Sequence, residues 1–542
     1  MTWLADLRQR WLDDPARVTV VEGEAEVRAG ELLERVGGLA AALRAAGVEA
    51  GSRVALVAAN GADWIAADLA CLGLGAVVVP FDPKQEAATT AELAAQAGVS
   101  AVLHDAQGAR GIDAPALALG ASRAPAPWSL EAAPPADAPA TILYTSGTTG
   151  VPKGAVLTHG NLEFMLDCAT TRLAELTGLA WGEEHALHYL PLCYAGSRVV
   201  VHAALRRGAT LTLLADPRQL GDALLRAAPH YMLNVPLVLE RFRAAATDGV
   251  QARGARAATL LQAAVAAQTA PPRGLRRRAL RAIASRTVVP KLRARFGPRL
   301  VGLICGSAPL SVACQQFYAA LGVPVYQGYG LTETTALCTL DRPGAIRPGY
   351  VGSALPGVEL TVDDEGEVLT RGPHVFAGYW QAPEASRAAL NEAGWFRTGD
   401  LGEFDEAGRL RVLGRRNAVL VLQSGHNVPP EPIEEALREA VGAGAQVCVA
   451  GHGRPHLVAV VAGDGLQRDA VDTAIRGYNA GVSGPRRVLG FHLVRAPFSE
   501  AEGTLTSNLK LRRRAIHARY ARQLEAIYAD GPTVPALGGG AA

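Results

Sequence analysis

The segment 144–154, Tyr-Thr-Ser-Gly-Thr-Thr-Gly-Val-Pro-Lys-Gly, constrains this chain more than any other. It follows a strand-like run at 141–144. Gly147, Gly150 and Gly154 let the backbone turn tightly and approach a ligand closely. Thr145, Ser146, Thr148 and Thr149 set hydroxyls beside backbone N–H groups, and Lys153 adds a mobile positive charge. A strand that runs into such a donor-rich loop suits a polyphosphate. The usual P-loop needs Gly-Lys-Ser/Thr in succession, whereas here Val151 and Pro152 precede the lysine. A flexible Ser/Thr/Gly linker is the competing reading. It accounts for neither the preceding strand nor the isolated lysine.

That lysine stands out because lysine is scarce. Of 53 basic residues only Lys84, Lys153, Lys291 and Lys510 are lysine. Where arginine is the default, a lysine marks a place that suits a slim point charge better than a wide planar fork.

The length, 542 residues, exceeds what one compact core supports, so at least two domains are expected. Apolar residues at 49% and charged residues at 19% fit a globular chain. A net charge of +2 gives no basis for nucleic-acid binding. Seven scattered cysteines form no metal-ligand spacing and read as reduced thiols. Charged residues break up the N-terminal 14 residues, against a signal peptide. The apolar run 64–80 is too short to span a bilayer. The expected location is the cytoplasm, with contact at most with a membrane surface.

Helical periodicity at 30–46 and strand-like runs at 53–58, 75–80, 101–104 and 141–144 alternate, which predicts layered α/β structure with a largely parallel sheet. The Ala/Pro-rich stretch 114–140 reads as a surface connection. From 351 to 413, short strands separated by Asp/Gly turns predict a small β-rich subdomain. After Gly414 a new α+β unit begins, with helices at 432–440 and 468–480, strands near 446–451 and 456–462, and a long basic helix from Leu511. The boundary is expected at 414–417, dividing the chain into 1–414 and 415–542.

Segment 144–154 resembles the signature phosphate loop of the adenylate-forming superfamily: acyl-CoA synthetases, luciferases and peptide-synthetase adenylation domains. The resemblance runs in order through nearly the whole chain. In 327–334, Gln-Gly-Tyr-Gly-Leu-Thr-Glu-Thr, Gly328 and Gly330 permit a sharp turn and Tyr329 offers a ring face to adenine. Thr332 offers a hydroxyl to phosphate, and Glu333 offers Mg²⁺ a hard carboxylate. The resemblance implies these roles, places Gln327 with the nucleotide, and gives Thr145 a catalytic part. Gly306, Ser307 and Ala308 resemble the loop lining the adenine and acyl pockets. In 394–400, Asp400 suits the two ribose hydroxyls, with Arg415 as a second ribose or phosphate contact.

Segment 505–513, Leu-Thr-Ser-Asn-Leu-Lys-Leu-Arg-Arg, is similar to the superfamily's C-terminal motif, which implies that Lys510 contacts carboxylate and α-phosphate during adenylation. The chemistry needs a cation there, because two anions meet and charge builds on the α-phosphoryl oxygens. Segment 423–434 resembles the part that swings in for thioester formation, with Gly425 leaving room for the pantetheine arm. Asn417 stands where the superfamily has Asp or Lys as a hinge.

Segments 427–434, 453–458 and Asn234-Val235-Pro236 lean towards long-chain acyl-CoA synthetases. So does 189–198, with Tyr194 where that branch carries His near the acyl pocket. The implied activity is ATP- and Mg²⁺-dependent conversion of a fatty acid to acyl-AMP, then to its coenzyme A thioester. Acylation of a carrier protein, β-lactone closure of a hydroxy acid, and an inactive binding homologue are the alternatives. No acidic residue lies between 249 and 332, and 273–295 carries nine basic residues: Arg273, Arg276, Arg277, Arg278, Arg281, Arg286, Lys291, Arg293 and Arg295. They fit a solvated face, or a dock for CoA phosphates, an acyl carrier protein or anionic lipid.

Overall fold

The computed structural model describes residues 2–121, 125–130, 134–145, 152–269, 274–442, 444–506, 509–531 and 534. Two large twisted sheets organise the first two thirds of the chain. In one, Arg53–Val57, Val77–Phe81, Ala101–His104 and Pro139–Thr145 run parallel, and Lys153–Thr158 folds back antiparallel at one side. In the other, His185–His188, Thr210–Leu213, Tyr231–Asn234, Gly302–Cys305 and Val325–Tyr329 are parallel. Helices cover both sheets, so the parallel strands are buried on both faces and read as near-continuous apolar runs. A four-stranded antiparallel sheet, Glu359–Val362, Glu367–Arg371, Phe396–Phe404 and Leu410–Arg415, forms the β-rich subdomain. The last part has a three-stranded sheet, Gln446–Ala450, Leu457–Ala462 and Val488–Val494, under helices Pro430–Val441 and Arg468–Ala480. The expected α/β fold class therefore holds.

Three local readings need correction. The long basic helix expected from Leu511 is two helices, Arg513–Arg519 and Ala521–Asp530, broken where Tyr520 adopts φ −105° and ψ 20°. Stretch 114–140 is more than a surface connection. It adds the edge strand Ala116–Ala118 and buries Trp128 against Trp11, at a ring separation of 6.1 Å, with its carbonyl accepting from Arg8 Nε at 2.5 Å. Gly378–Tyr379, inside the β-rich stretch, leaves that subdomain and pairs with Lys153–Thr158 of a large sheet.

An ionic cluster ties two helices together inside the core. Asp68, on Ala62–Gly73, accepts from Arg198 Nε at 2.8 Å and Nη2 at 2.5 Å. One turn after Arg198, on Ala195–Arg206, His202 Nε2 lies 2.9 Å from the same carboxylate. All three are buried. Burial opposes ionisation of Asp68, but Arg198 and His202 outweigh it and hold the carboxyl below its ordinary value.

All seven cysteines are free thiols. Among the described residues, no helix is long and apolar enough to cross a membrane.

Candidate active site

Sheet order gathers the expected residues. His185–His188, Tyr231–Asn234, Gly302–Cys305 and Val325–Tyr329 are consecutive parallel neighbours, and the segments leaving their C-terminal ends lie side by side. Ligands of open α/β sheets bind at that edge. The first strand leads to Tyr194, which opens helix Ala195–Arg206 and is half-buried. The second leads to Val235, buried at the start of helix Pro236–Gln251. The third leads to the exposed Ser307 and Ala308, with Gly306 N donating to Asn234 O at 3.3 Å. Ser307 has φ +78°, a left-handed backbone that turns the loop sharply.

The fourth strand ends in the turn 328–336. A Cβ on Gly330 would lie 2.1 Å from the Ala336 carbonyl oxygen, so only glycine closes this turn. Tyr329 OH donates to Asp400 Oδ2 at 2.7 Å, and Arg415 Nε contacts Asp400 Oδ1 at 2.8 Å. Asp400 and Arg415 face one another across their antiparallel strands, so one buried carboxylate joins the turn to the β-rich subdomain. Burial raises the Asp400 carboxyl and Glu333 adds to the rise, whereas Arg415, Tyr329 and Lys510 lower it. Gln327 points elsewhere: its buried amide donates to the Tyr350 carbonyl at 2.9 Å and braces the turn.

Thr332 is half-buried beside Glu333. Glu333 Oε1 accepts from Tyr379 OH at 2.8 Å, and its backbone carbonyl accepts from Phe376 N at 2.9 Å. Among the described residues, no hydrogen bond is seen to its other carboxylate oxygen. No three His, Cys, Asp or Glu side chains among the described residues gather as metal ligands. A metal at Glu333 would therefore share one carboxylate with phosphate oxygens, the donor set Mg²⁺ takes on nucleotides.

Thr145 and Lys153 are direct partners across the antiparallel pairing of Pro139–Thr145 and Lys153–Thr158. Lys153 Nζ stands 5.3 Å from the centroid of the Tyr379 ring, and Trp380 N donates to Gly154 O at 2.7 Å. The readings on Ser146, Gly147, Thr148, Thr149 and Gly150 lie outside the described residues. Tyr379 was not anticipated. It holds Glu333 with its hydroxyl and Lys153 with its ring face.

Lys510 comes to this site from the far end of the chain. It has exposed surface, yet protein crowds it enough that desolvation lowers its ammonium to about 8. Arg415 pushes the same way and Asp400 opposes, so the three share one electrostatic field. Gly425 is not brought here. It turns the hairpin between Leu420–Val421 and Asn427–Val428 at φ +80°, and no hydrogen bond or ion pair among the described residues joins it to Glu333, Asp400 or Lys510.

Donors, carboxylates and cations thus converge at the C-terminal edge of an open α/β sheet, an arrangement that suits an anionic nucleotide. Residues 7–380 match the AMP-binding enzyme family and residues 417–531 match the AMP-binding enzyme C-terminal domain. The chain belongs to the AMP-binding enzyme family. It is similar to the long-chain-fatty-acid–CoA ligase FadD15 of Mycobacterium tuberculosis, 32% identical over an alignment that covers 95% of each chain. It is also similar to the human long-chain-fatty-acid–CoA ligase 6, 30% identical over 71% of this chain and 60% of the relative. Among solved structures, the anthranilate CoA ligase AuaEII in complex with anthranoyl-AMP has the same fold, with a TM-score of 0.76 at 19% identity over 97% of this chain and 98% of the other. A Mycobacterium tuberculosis fatty acyl CoA synthetase superimposes with a TM-score of 0.65 at 22% identity, over 96% and 99%.

Proposed function

We propose that this chain is an AMP-forming fatty-acid–CoA ligase. The observation that carries the reading is the convergence of Tyr329, Asp400, Arg415, Glu333 and Lys510 in a chain 32% identical, end to end, to a long-chain-fatty-acid–CoA ligase. In the first step a carboxylate oxygen bonds to the α-phosphorus of ATP, the bond to the β-phosphate oxygen breaks, and pyrophosphate leaves. In the second the CoA sulfur bonds to the acyl carbon, the bond to AMP breaks, and the thiol proton passes to solvent.

Tyr329 and the loop at Gly306 bound the adenine. Asp400 and Arg415 hold the ribose, with Asp400 exchanging part of its present contacts for the diol. Lys153, opposite Thr145, reaches the outer phosphates, and Lys510 neutralises charge where the carboxylate meets the α-phosphate. Glu333 holds Mg²⁺, which when bound screens the polyphosphate. Tyr194 and Val235 bound the acyl chain. Residues 1–414 and 415–542 act as two domains hinged at 414–417, and rotation exchanges Lys510 for Gly425.

Pyrophosphate release measured along a ladder of fatty acids, with and without CoA, tests the reading. Release that depends on a long-chain acid and is sustained only with CoA supports it. Release indifferent to CoA transfers the second step to a carrier protein or an internal hydroxyl, and no release with any acid removes the activity. In the same assay Glu333→Gln should raise the Mg²⁺ requirement, and an unchanged requirement removes Glu333 from the metal.

The arginine-rich segment adds a membrane contact to the proposal. On helix Leu275–Arg293, Leu275 and Ile283 are 85% and 48% exposed, and with Ala279 they follow a four-residue spacing. Exposed Arg276 and Arg286 share that side, while Ala284 and Leu292 face inward. An outward apolar ridge flanked by arginine fits an anionic bilayer better than a hydrated phosphate ligand. Arg273 lies outside the described residues. The chain should sediment with vesicles containing anionic phospholipid and not with purely zwitterionic ones. Binding unaltered by Arg276→Glu/Arg277→Glu/Arg278→Glu would refute the assignment.

A further inference from the structure

The turn that carries Lys510 is closed by its own hydrogen bonds. Leu505 and Leu511 form an antiparallel bridge, Thr506 N donates to Lys510 O at 2.9 Å, and Lys510 N donates to Thr506 Oγ1 at 3.0 Å. Leu509, immediately before the lysine, donates its N–H to Thr506 O at 2.7 Å and has φ +58°. That left-handed backbone is unfavourable for a branched, bulky residue and free of cost for glycine. Strain of this kind persists only where the surroundings reward the side chain.

The reward is visible in the packing. The Leu509 side chain packs against two separate cores. One belongs to the large part of the chain and includes Leu239, Leu292 and Phe296. The other belongs to the small C-terminal part and includes Val460, Phe498 and Leu505. Leu237, in the first turn of helix Pro236–Gln251, makes the reciprocal contact, packing from the large part against the small part's core. Among the described residues, Arg415 and Arg416 tie the parts at the boundary itself, through Asp400 and the buried Glu367 at 2.8 Å each, and the two polar links away from the boundary are weaker. Lys84 Nζ lies 3.5 Å from Glu500 with its side chain 57% exposed, and Ala313 N reaches Glu439 Oε1 only at 3.4 Å. Exposed pairs of this kind contribute little. The boundary pairs lie at residues 415–416, far along the chain from the lysine, so the exchanged leucines are the apolar contact that meets the large part at the lysine turn itself.

We propose that Leu509 is a positioning residue for acyl-adenylate formation. Its side chain is a latch that fastens the Lys510 turn to the large domain during the first step and comes free when the small domain turns for the second. The strained backbone favours release once the packing is lost. The receiving surface begins two residues after Val235, so the helix start assigned to the acyl pocket also seats the latch. The inference rests on the reading of Lys510 as the cation of the first step.

Leu509→Gly tests it, because the substitution removes the side chain and the strain together and leaves a turn that glycine accepts. Two half-reactions are measured: acid-dependent exchange of pyrophosphate into ATP, and CoA-dependent consumption of supplied acyl-AMP. Adenylation should fall roughly tenfold or more, chiefly in kcat. Thioester formation should stay within about twofold of the parent, and the melting temperature should not drop. Leu509→Met, which restores an apolar reach, should recover most of the first step. Lys510→Ala is run in parallel. If it abolishes adenylation while Leu509→Gly adenylates normally, the latch is wrong and the lysine reading stands. If Lys510→Ala itself adenylates normally, both fail. A parallel fall of both half-reactions, or a lowered melting temperature in Leu509→Gly, would make Leu509 a merely structural residue and overturn the proposal.

Discussion

Lys510→Ala should cut the formation of acyl-AMP from acid and ATP by roughly 10²–10³-fold, the usual cost of removing one group that stabilises developing oxyanion charge. CoA-dependent thioester formation from supplied acyl-AMP should continue near the parent rate. The titration of the lysine adds a second test. Its ammonium is lowered to about 8 by desolvation, with Arg415 adding to the effect and Asp400 opposing it. Below that pH the group is a cation, and above it the charge is lost. The adenylation kcat/KM of the parent should therefore decline as pH rises past about 8, since kcat/KM follows the free enzyme. Lys510→Arg, charged throughout, should lose that alkaline limb, at a lower absolute rate because the wider fork fits a slim site poorly. A limb that persists in the arginine variant would assign the titration to another group. Adenylation at the parent rate in Lys510→Ala would remove the lysine from the chemistry.

Asp68→Ala should destabilise the large domain by about 3–5 kcal/mol, the cost of stranding a buried charge. The variant leaves the Arg198 guanidinium, 2% exposed, with its two hydrogen bonds to Asp68 gone. Asp68→Ala combined with Arg198→Met should recover much of the loss, because packed apolar groups replace a buried pair at little net cost. The first thermal transition measures both variants, which suits a chain with more than one cooperative unit. An unchanged transition in Asp68→Ala would mean that apolar packing alone holds the two helices. Arg198 lies one turn beyond Tyr194, so the cluster also anchors the helix whose first residues are assigned to the acyl pocket.

Regular elements with strong periodicity were legible in the sequence. The helix at 468–480 has those bounds, and that expected at 30–46 is Ala29–Ala45. The turn at 328–330 was legible because its geometry is local: Gly330 sits where a Cβ is excluded. What escaped depends on distant pairings. Tyr379 belongs to a two-residue strand, too short to carry a pattern, and acquires its role by pairing with Lys153–Thr158. Asp68 and Arg198 are 130 residues apart, and nothing near either names the other. Trp128 sits in an Ala/Pro-rich stretch without periodicity, and its burial comes from Trp11 and the close approach of Gly73. Gln327 belongs to a motif expected at the nucleotide, yet its amide turns inward to the Tyr350 carbonyl. For Leu509 the decisive fact is a dihedral angle, which no residue type declares.

The candidate site takes its carboxylates and Lys153 from the large part, Arg415 from the boundary between the parts, and Lys510 from the C-terminal part. A group that lowers the barrier to making the mixed anhydride lowers it equally for the return journey with pyrophosphate. On the proposed rotation, withdrawing the Lys510 charge does more than clear space for a thiol. It would make the first step a ratchet: the high-energy anhydride, once made, would be cut off from its own reversal until the sulfur nucleophile had consumed it.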